Sequence, residues 1–266
     1  MTQPAHAHTA QDSAPLPAPP GRVTRTLLRW LMRPARVAAV ETLSPHFRLA
    51  ELEGEALRDL AWTAGQKVQV SIGSGLSART YTPISWDAGR GSTRILTFAH
   101  GEGPGSRWAS GLREGDICRF FGPRRSLDLS SLEAPVVLFG DETSFGLAAA
   151  LREGPQAHGA IHVFEASDVA EARPVLETIG LGQAVLIGRS AEDGHLAAAE
   201  AEMLRFAASA AAEAEMLRFA ASAAHFVLTG KASSIQRISR ALKAAGVGSS
   251  RLRTKAYWAP GKTGLD

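Results

Sequence analysis

Two textures of hydrophobic and polar positions follow one another along the chain. From residue 35 to residue 132, short β-forming runs alternate with turn signals. ARVAAVETL (35–43), HFRLAELEG (46–54), QKVQVSIG (66–73), ARTYTPIS (78–85), TRILTFAH (93–100) and DICRFFGP (116–123) read as strands, and stretches such as DAGRGS (87–92) separate some of them. Many short strands in succession predict an antiparallel barrel. One helix start, GPGSRWASGL (103–112), interrupts them. After Pro135 the runs become continuously apolar: PVVLFG (135–140), AIHVFEAS (160–167), QAVLIGRS (183–190) and HFVLTGK (225–231). Helical stretches lie between most of these, the grammar of a parallel α/β sheet. The expected organisation is a disordered leader over 1–21, a β-barrel domain over 22–133 and an α/β domain over 134–266.

Two segments stand outside that pattern. VTRTLLRWLMR (23–33) predicts a short amphipathic helix, with Arg25, Arg29 and Arg33 on one face and Leu27, Leu28 and Leu31 on another. Such a helix docks on the domain surface or lies on an anionic membrane. The other is a tandem repeat: AEAEMLRFAASAA occupies 199–211 and again, letter for letter, 212–224. Thirteen residues rotate an α-helix by roughly 220° beyond whole turns, so Met203 and Phe206 would face the sheet while Met216 and Phe219 point elsewhere. One copy is expected to be surplus, as a projecting or bent helix; a dimerisation arm is the alternative.

Composition narrows the chemistry. Hydrophobic residues make up 45% of 266 and charged residues 21%, so a real core can be buried. The single cysteine, Cys118, excludes a disulfide framework and any cysteine-rich metal site. No apolar run approaches a membrane span, and the first residues lack a secretory pattern; the cytoplasm is the expected compartment. The net charge of +3 hides two basic segments. One carries Arg22, Arg25, Arg29, Arg33 and Arg36, and the other is the C-terminal stretch from His225.

Four motifs and several single residues carry candidate chemistry. Arg79-Thr80-Tyr81-Thr82 supplies a guanidinium for a phosphate, a flat ring for an isoalloxazine and a hydroxyl for its polar edge. His100-Gly101-Glu102-Gly103-Pro104-Gly105-Ser106-Arg107-Trp108 places glycines for close approach before a helix start. There Ser106 is a candidate cap and the free N–H groups suit a pyrophosphate; Trp108 stacks on the ligand or packs in the core. Gly140-Asp141-Glu142-Thr143-Ser144 follows the first α/β strand, where such sheets bind ligands. Glu165 ends the next strand and could accept from a ribose 2′-OH, which favours NADH. The C-terminal Lys255-Ala256-Tyr257-Trp258 offers aromatics that can fold back over a flavin. Basic Arg124, Arg125, Arg251, Arg253 and Lys255 are candidates for attracting an anionic substrate.

Taken in order, RTYT (79–82), HGEGPGSRWA (100–109), GPR (122–124), GDETS (140–144) and KAYW (255–258) resemble the siderophore-interacting protein family, a branch of the ferredoxin–NADP reductase superfamily. The chain departs from many relatives at Ile84-Ser85 and at Phe145-Gly146. The resemblance implies a six-stranded FAD-binding barrel followed by a nicotinamide-binding α/β domain. It implies NAD(P)H as electron donor and a ferric siderophore or other ferric chelate as acceptor. Arg79, Tyr81 and Thr82 would hold the flavin phosphate and ring, His100 to Trp108 the pyrophosphate, and Asp141 to Ser144 the nicotinamide side. Flavin carries the hard step, so no catalytic side chain is required. A general flavin or ferredoxin-type reductase and a non-catalytic FAD-binding module stay open. No metal site, no nucleic-acid partner and a monomer are expected.

Overall fold

The computed structural model describes residues 32–72, 78–127, 129, 132, 135–152, 160–217 and 224–262, without the side chains of 211–217. Met32–Asp266 form one compact unit. The expected leader, the greater part of the helix over 23–33 and the end of the second repeat copy lie outside the described residues. Arg33 and Pro34 already belong to the first strand, so a helix does not reach them.

Seven antiparallel strands form the first sheet: β1 (Arg33–Thr42), β2 (Phe47–Glu53), β3 (Lys67–Ser71), β4 (Ala78–Tyr81), β5 (Pro83–Asp87), β6 (Ser92–Phe98) and β7 (Ile117–Arg124). Their order is β4-β3-β7-β1-β2-β6-β5. The extra strand relative to six arises within ARTYTPIS. Pro83 has no N–H to continue a ladder, so the run breaks at Thr82 and its halves take opposite edges of the sheet. Only one residue separates those edges in sequence, so the sheet curls into a barrel-like shape without closing. Alternate residues line its core, among them Val37, Leu52, Val68, Val70, Ile95 and Phe120. Helix α1 (Pro104–Gly111) follows β6.

The second sheet is parallel, in the order β10-β9-β8-β11-β12. Its strands are β8 (Val136–Gly140), β9 (Ile161–Ala166), β10 (Val185–Gly188), β11 (His225–Lys231) and β12 (Leu252–Trp258). Helices α2 (Phe145–Leu151), α3 (Val169–Thr178), α4 (Leu196–Leu217) and α5 (Ala232–Ala244) alternate with them. The fold is therefore an antiparallel, barrel-like sheet followed by a parallel α/β sheet. The KAYW segment, not among the strands expected from sequence, is the end of an edge strand paired with β11. Helix α4 runs through the junction of the two repeat copies without a break, for about 33 Å at 1.5 Å per residue. Leu196, Ala199, Met203 and Ala210 bury one face of it. Met216 is without a described side chain, and Phe219 lies outside the described residues.

The change of sheet falls between Arg124 and Val136, but one core spans both sheets. Phe47, Leu49, Ile84 and Leu96 join Phe145, Leu147 and Phe164 in a single buried cluster. The rings of Phe47 and Phe145 stack at 5.6 Å and 5°. A second tie is polar. Glu171 on α3 accepts from the Ser44 hydroxyl (2.6 Å) and the His46 amide (2.8 Å), and its other oxygen lies 2.9 Å from His46 Nδ1. These bonds hold the Glu171 carboxyl below its ordinary range despite its partial burial.

Candidate functional site

A cleft of about 320 Å³ opens where the end of β4 and the β6–α1 turn meet the carboxyl ends of β8 and β12. That volume suits a small-molecule ligand. Arg79, Thr80, Tyr81 and Thr82 line it from the antiparallel side, with His100, Gly103, Gly105 and Ser106. Glu142, Thr143, Tyr257 and Trp258 line it from the parallel side.

The antiparallel wall is open and basic. Arg79 is exposed and crosses over Gly105: a Cβ there would stand 3.0 Å from its Nε. The absent side chain thus lets a guanidinium lie beside the first turn of α1, whose N–H groups are free. That pairing fits a pyrophosphate. Helix α1 starts differently from the expectation. Gly103 is the cap and Pro104 takes the first helical position, which suits proline because its missing N–H would have no partner there. Ser106 is no cap; its hydroxyl donates to the His100 carbonyl at 2.6 Å and closes the turn. Trp108 lies behind Tyr81, ring centroids 5.5 Å apart, packed on the barrel core and not lining the cleft. Burial holds the Tyr81 hydroxyl protonated far above its ordinary range. His100 stacks on Phe98 at 5.5 Å, and partial burial keeps its imidazole neutral at pH 7.

The parallel wall is the reverse, a set of buried polar groups bonded mostly to one another, with Arg189 Nε left without a hydrogen-bond partner. Asp141 accepts from the Thr143 amide at 2.9 Å, from the Thr143 hydroxyl, and from the Trp258 indole at 2.7 Å. Burial pushes its carboxyl up to about 6. Glu142 accepts from the Ser167 amide and hydroxyl and from Arg189 at 2.8 Å. Gly140 is fully buried, and a Cβ on it would stand 2.5 Å from Ser144. Ser144 itself turns inward, accepting from Thr229 at 2.8 Å, so it is no ligand for a nicotinamide phosphate. Of the GDETS residues, Glu142 and Thr143 line the cleft.

Glu165 corrects the reading that made it a ribose partner. It is fully buried, 2.8 Å from His195 Nε2, and it accepts from Ser234 at 2.9 and 3.0 Å. Arg189 stands 3.7 Å from it. Its oxygens are committed inside the protein, so it carries no preference for NADH. Ser234 donates to the glutamate and not to the histidine, so the cluster is no nucleophilic triad.

The five candidate substrate cations are not brought together. Arg124 and Arg125 are exposed at the end of β7, next to Ser126, which lines the cleft. Arg124 lies over the Phe121 ring at 5.0 Å. Arg251 precedes β12 and Arg253 sits near its start, about 20 Å and about 13 Å of chain from Tyr257 at roughly 3.3 Å per residue. Arg253 donates to the Ser250 and Leu252 carbonyls. Lys255 is half-buried within β12, and none of the five lines the cleft. Its cations are instead Arg79, the buried Lys67, and Lys262.

Phe98 and Gly146 also line the cleft unannounced. Phe98 was within reach of the alternation along β6, since Leu96 and Phe98 share one face. Gly146 brings α2 against the Thr82 carbonyl, 3.0 Å from where a Cβ would stand. That contact gives a physical reason for the Phe145-Gly146 departure. Lys67 left no signal, because a charged residue in a short strand reads as solvent-facing. Tyr257 hydrogen-bonds the Thr82 side chain, joining β12 to the antiparallel sheet.

The arrangement defines a class: an antiparallel sheet and a parallel α/β sheet enclosing a cleft suited to a phosphate-bearing aromatic cofactor. Comparisons with known proteins agree. Residues 73–127 match the siderophore-interacting FAD-binding domain and residues 133–261 match the siderophore-interacting protein model, together more than two thirds of the chain. The chain belongs to the siderophore-interacting protein family, and FAD is its cofactor. Solved structures of the same fold include a siderophore utilization protein from T. fusca, with TM-score 0.62 and 22% identity over 88% of this chain and 95% of that one. SipS, the siderophore-interacting protein from Aeromonas hydrophila, gives TM-score 0.65 and 18% identity over 87% and 93%. Phthalate dioxygenase reductase gives TM-score 0.67 and 15% identity over 88% and 71%. A search of curated proteins gave no match. Among the described residues no helix is long and apolar enough to cross a membrane, and no group of acidic, histidine or cysteine side chains is placed to hold a metal ion.

Proposed function

We propose that the protein is a flavin-dependent reductase that passes electrons from NAD(P)H to ferric siderophores or similar ferric chelates. The observation that carries this reading is the cleft itself, with Arg79 laid across Gly105 at the start of α1 and aromatic rings on both sides. Held there, FAD would supply the redox chemistry that links a hydride donor to a one-electron acceptor such as Fe(III).

The chain's own part is binding and orientation. Arg79 and the first amides of α1 offset pyrophosphate charge. Tyr81 and Tyr257, both held protonated by burial, present flat rings without adding charge. Neutral His100 leaves the cleft without a further cation near the ring system. Thr143 offers a hydroxyl at the parallel side, where the dinucleotide would approach. Arg124 and Arg125, beside the mouth, are the candidate cations for drawing in an anionic chelate. Siderophores grip hard Fe(III) through oxygen donors, and Fe(II) binds such ligands less well, so reduction would release the metal.

The test is anaerobic. FAD-loaded protein is mixed with NADH or NADPH, and a ferric siderophore is then added with a chromogenic Fe(II) trap. The reading requires bleaching by a nicotinamide, followed by return of the oxidised spectrum and trapped Fe(II). Bleaching with turnover only on free flavin or ferredoxin would make it a general reductase. Failure to bleach with either nicotinamide would make it a binding module.

A further inference from the structure

Asp141 is fully buried, yet donors converge on its carboxylate from the turn after β8 and from the end of β12. One oxygen serves the Thr143 turn and the other takes the Trp258 indole N–H at 2.7 Å. Asp141 follows β8 and Trp258 ends β12, and β11 lies between those strands in the sheet. Gly230 on β11 makes the crossing possible. Its φ is +102°, and a Cβ there would stand 2.4 Å from the Asp141 oxygen that holds the indole. The carboxylate therefore passes over β11 through the gap a glycine leaves. The ring it holds lines the cleft, 6.3 Å from His100, with the Arg189 guanidinium 5.7 Å from its centroid.

We propose that Asp141 is a positioning residue whose carboxylate braces the Trp258 indole in the wall of the flavin cleft. The meaning of the cleft rests on the reading above; the brace does not. A charged acceptor makes a stronger hydrogen bond than a neutral one, and burial pushes Asp141 up to about 6. Trp258 is thus held more firmly above that pH than below it. The charged or titratable groups facing the pair are Arg189 at 3.7 Å, Glu142 and Tyr257, with His100 across the cleft.

The brace is read in the apoprotein from indole N–H resonances. The resonance lost in Trp258→Phe should move between acid and neutral pH with a midpoint at about 6, and it should stop moving in Asp141→Asn. A resonance that stays still overturns the proposal. So does one that titrates in Asp141→Asn but not in His100→Asn. Trp258→Phe removes the indole and its N–H donor while keeping an aromatic side chain, so the wild-type titration stays assigned even if Asp141→Asn unfolds. The effect on the cleft is read by FAD titration. Each single variant should weaken FAD binding several-fold, and Asp141→Asn should add little once Trp258→Phe has removed the donor, since both act on one bond. Full additivity would contradict the brace. A titrating indole in protein that takes up no FAD would retire the flavin reading and leave the brace standing.

Discussion

The two walls of the cleft both carry polar side chains but use them in opposite ways. On the antiparallel side Arg79, His100, Gly103 and the first turn of α1 face outward. On the parallel side Asp141, Ser144 and Glu165 face inward and are fully buried. There three carboxylates surround one guanidinium, with Arg189 2.8 Å from Glu142 and 3.7 Å from both Asp141 and Glu165. The contrast teaches that an acid or hydroxyl at the carboxyl end of a parallel strand is not by its position a ligand. A buried polar group must find partners, and here the partners are other protein groups. On the proposed reading one wall binds, and the other is chiefly a scaffold that aims Trp258 and Thr143.

Arg189→Ala should break that contrast most severely. It leaves buried carboxylates without their cation, at a cost of about 3–5 kcal/mol, read as a lowered urea midpoint at neutral pH. Unchanged stability together with lost nicotinamide use would make the parallel wall a ligand site after all. Arg79→Ala should do the converse. Its side chain is exposed, so folding should hardly change. FAD binding should weaken about tenfold to a hundredfold, as for loss of a hydrogen bond to a charged group. Equal FAD affinity in the variant would remove the phosphate assignment.

Gly140→Ala separates the walls in another way. Its Cβ would stand 2.5 Å from Ser144 in a site with no free volume. The expected cost is about 1–3 kcal/mol in stability, with FAD affinity much less affected, measured by paired denaturation and FAD titration. The smallest effect concerns pH. Burial raises Asp141 from 3.8 to about 6 in the folded protein. The folded state then binds a proton more tightly than the unfolded chain, so this group makes stability fall as pH rises across that interval. Asp141→Asn should flatten that part of the profile. An unchanged slope between acid and neutral pH would show that the carboxyl is not perturbed.

The antiparallel wall was legible because its signals are local. Arg79-Thr80-Tyr81-Thr82 and the glycines of the Gly103-Pro104-Gly105 turn reach the cleft where they stand in the chain. The parallel wall was legible in its strands but not in its side chains. Whether Glu165 faces a ligand or His195 depends on a partner 30 residues away, and whether Asp141 is free depends on Trp258, 117 residues away. The seventh strand turned on Pro83, whose missing N–H splits a run that otherwise reads as one. β12 was hidden because LRTKAYW mixes charge with aromatics, and only pairing with β11 makes it a strand.

The most direct measurement is an equilibrium titration of folded apoprotein with FAD, followed by flavin fluorescence and visible absorbance. The account predicts saturable binding of one FAD per chain, with the flavin fluorescence quenched against the aromatic rings of the cleft and affinity clearly reduced in Arg79→Ala. A well-folded protein that binds no FAD, or binds it equally well without Arg79, would contradict it.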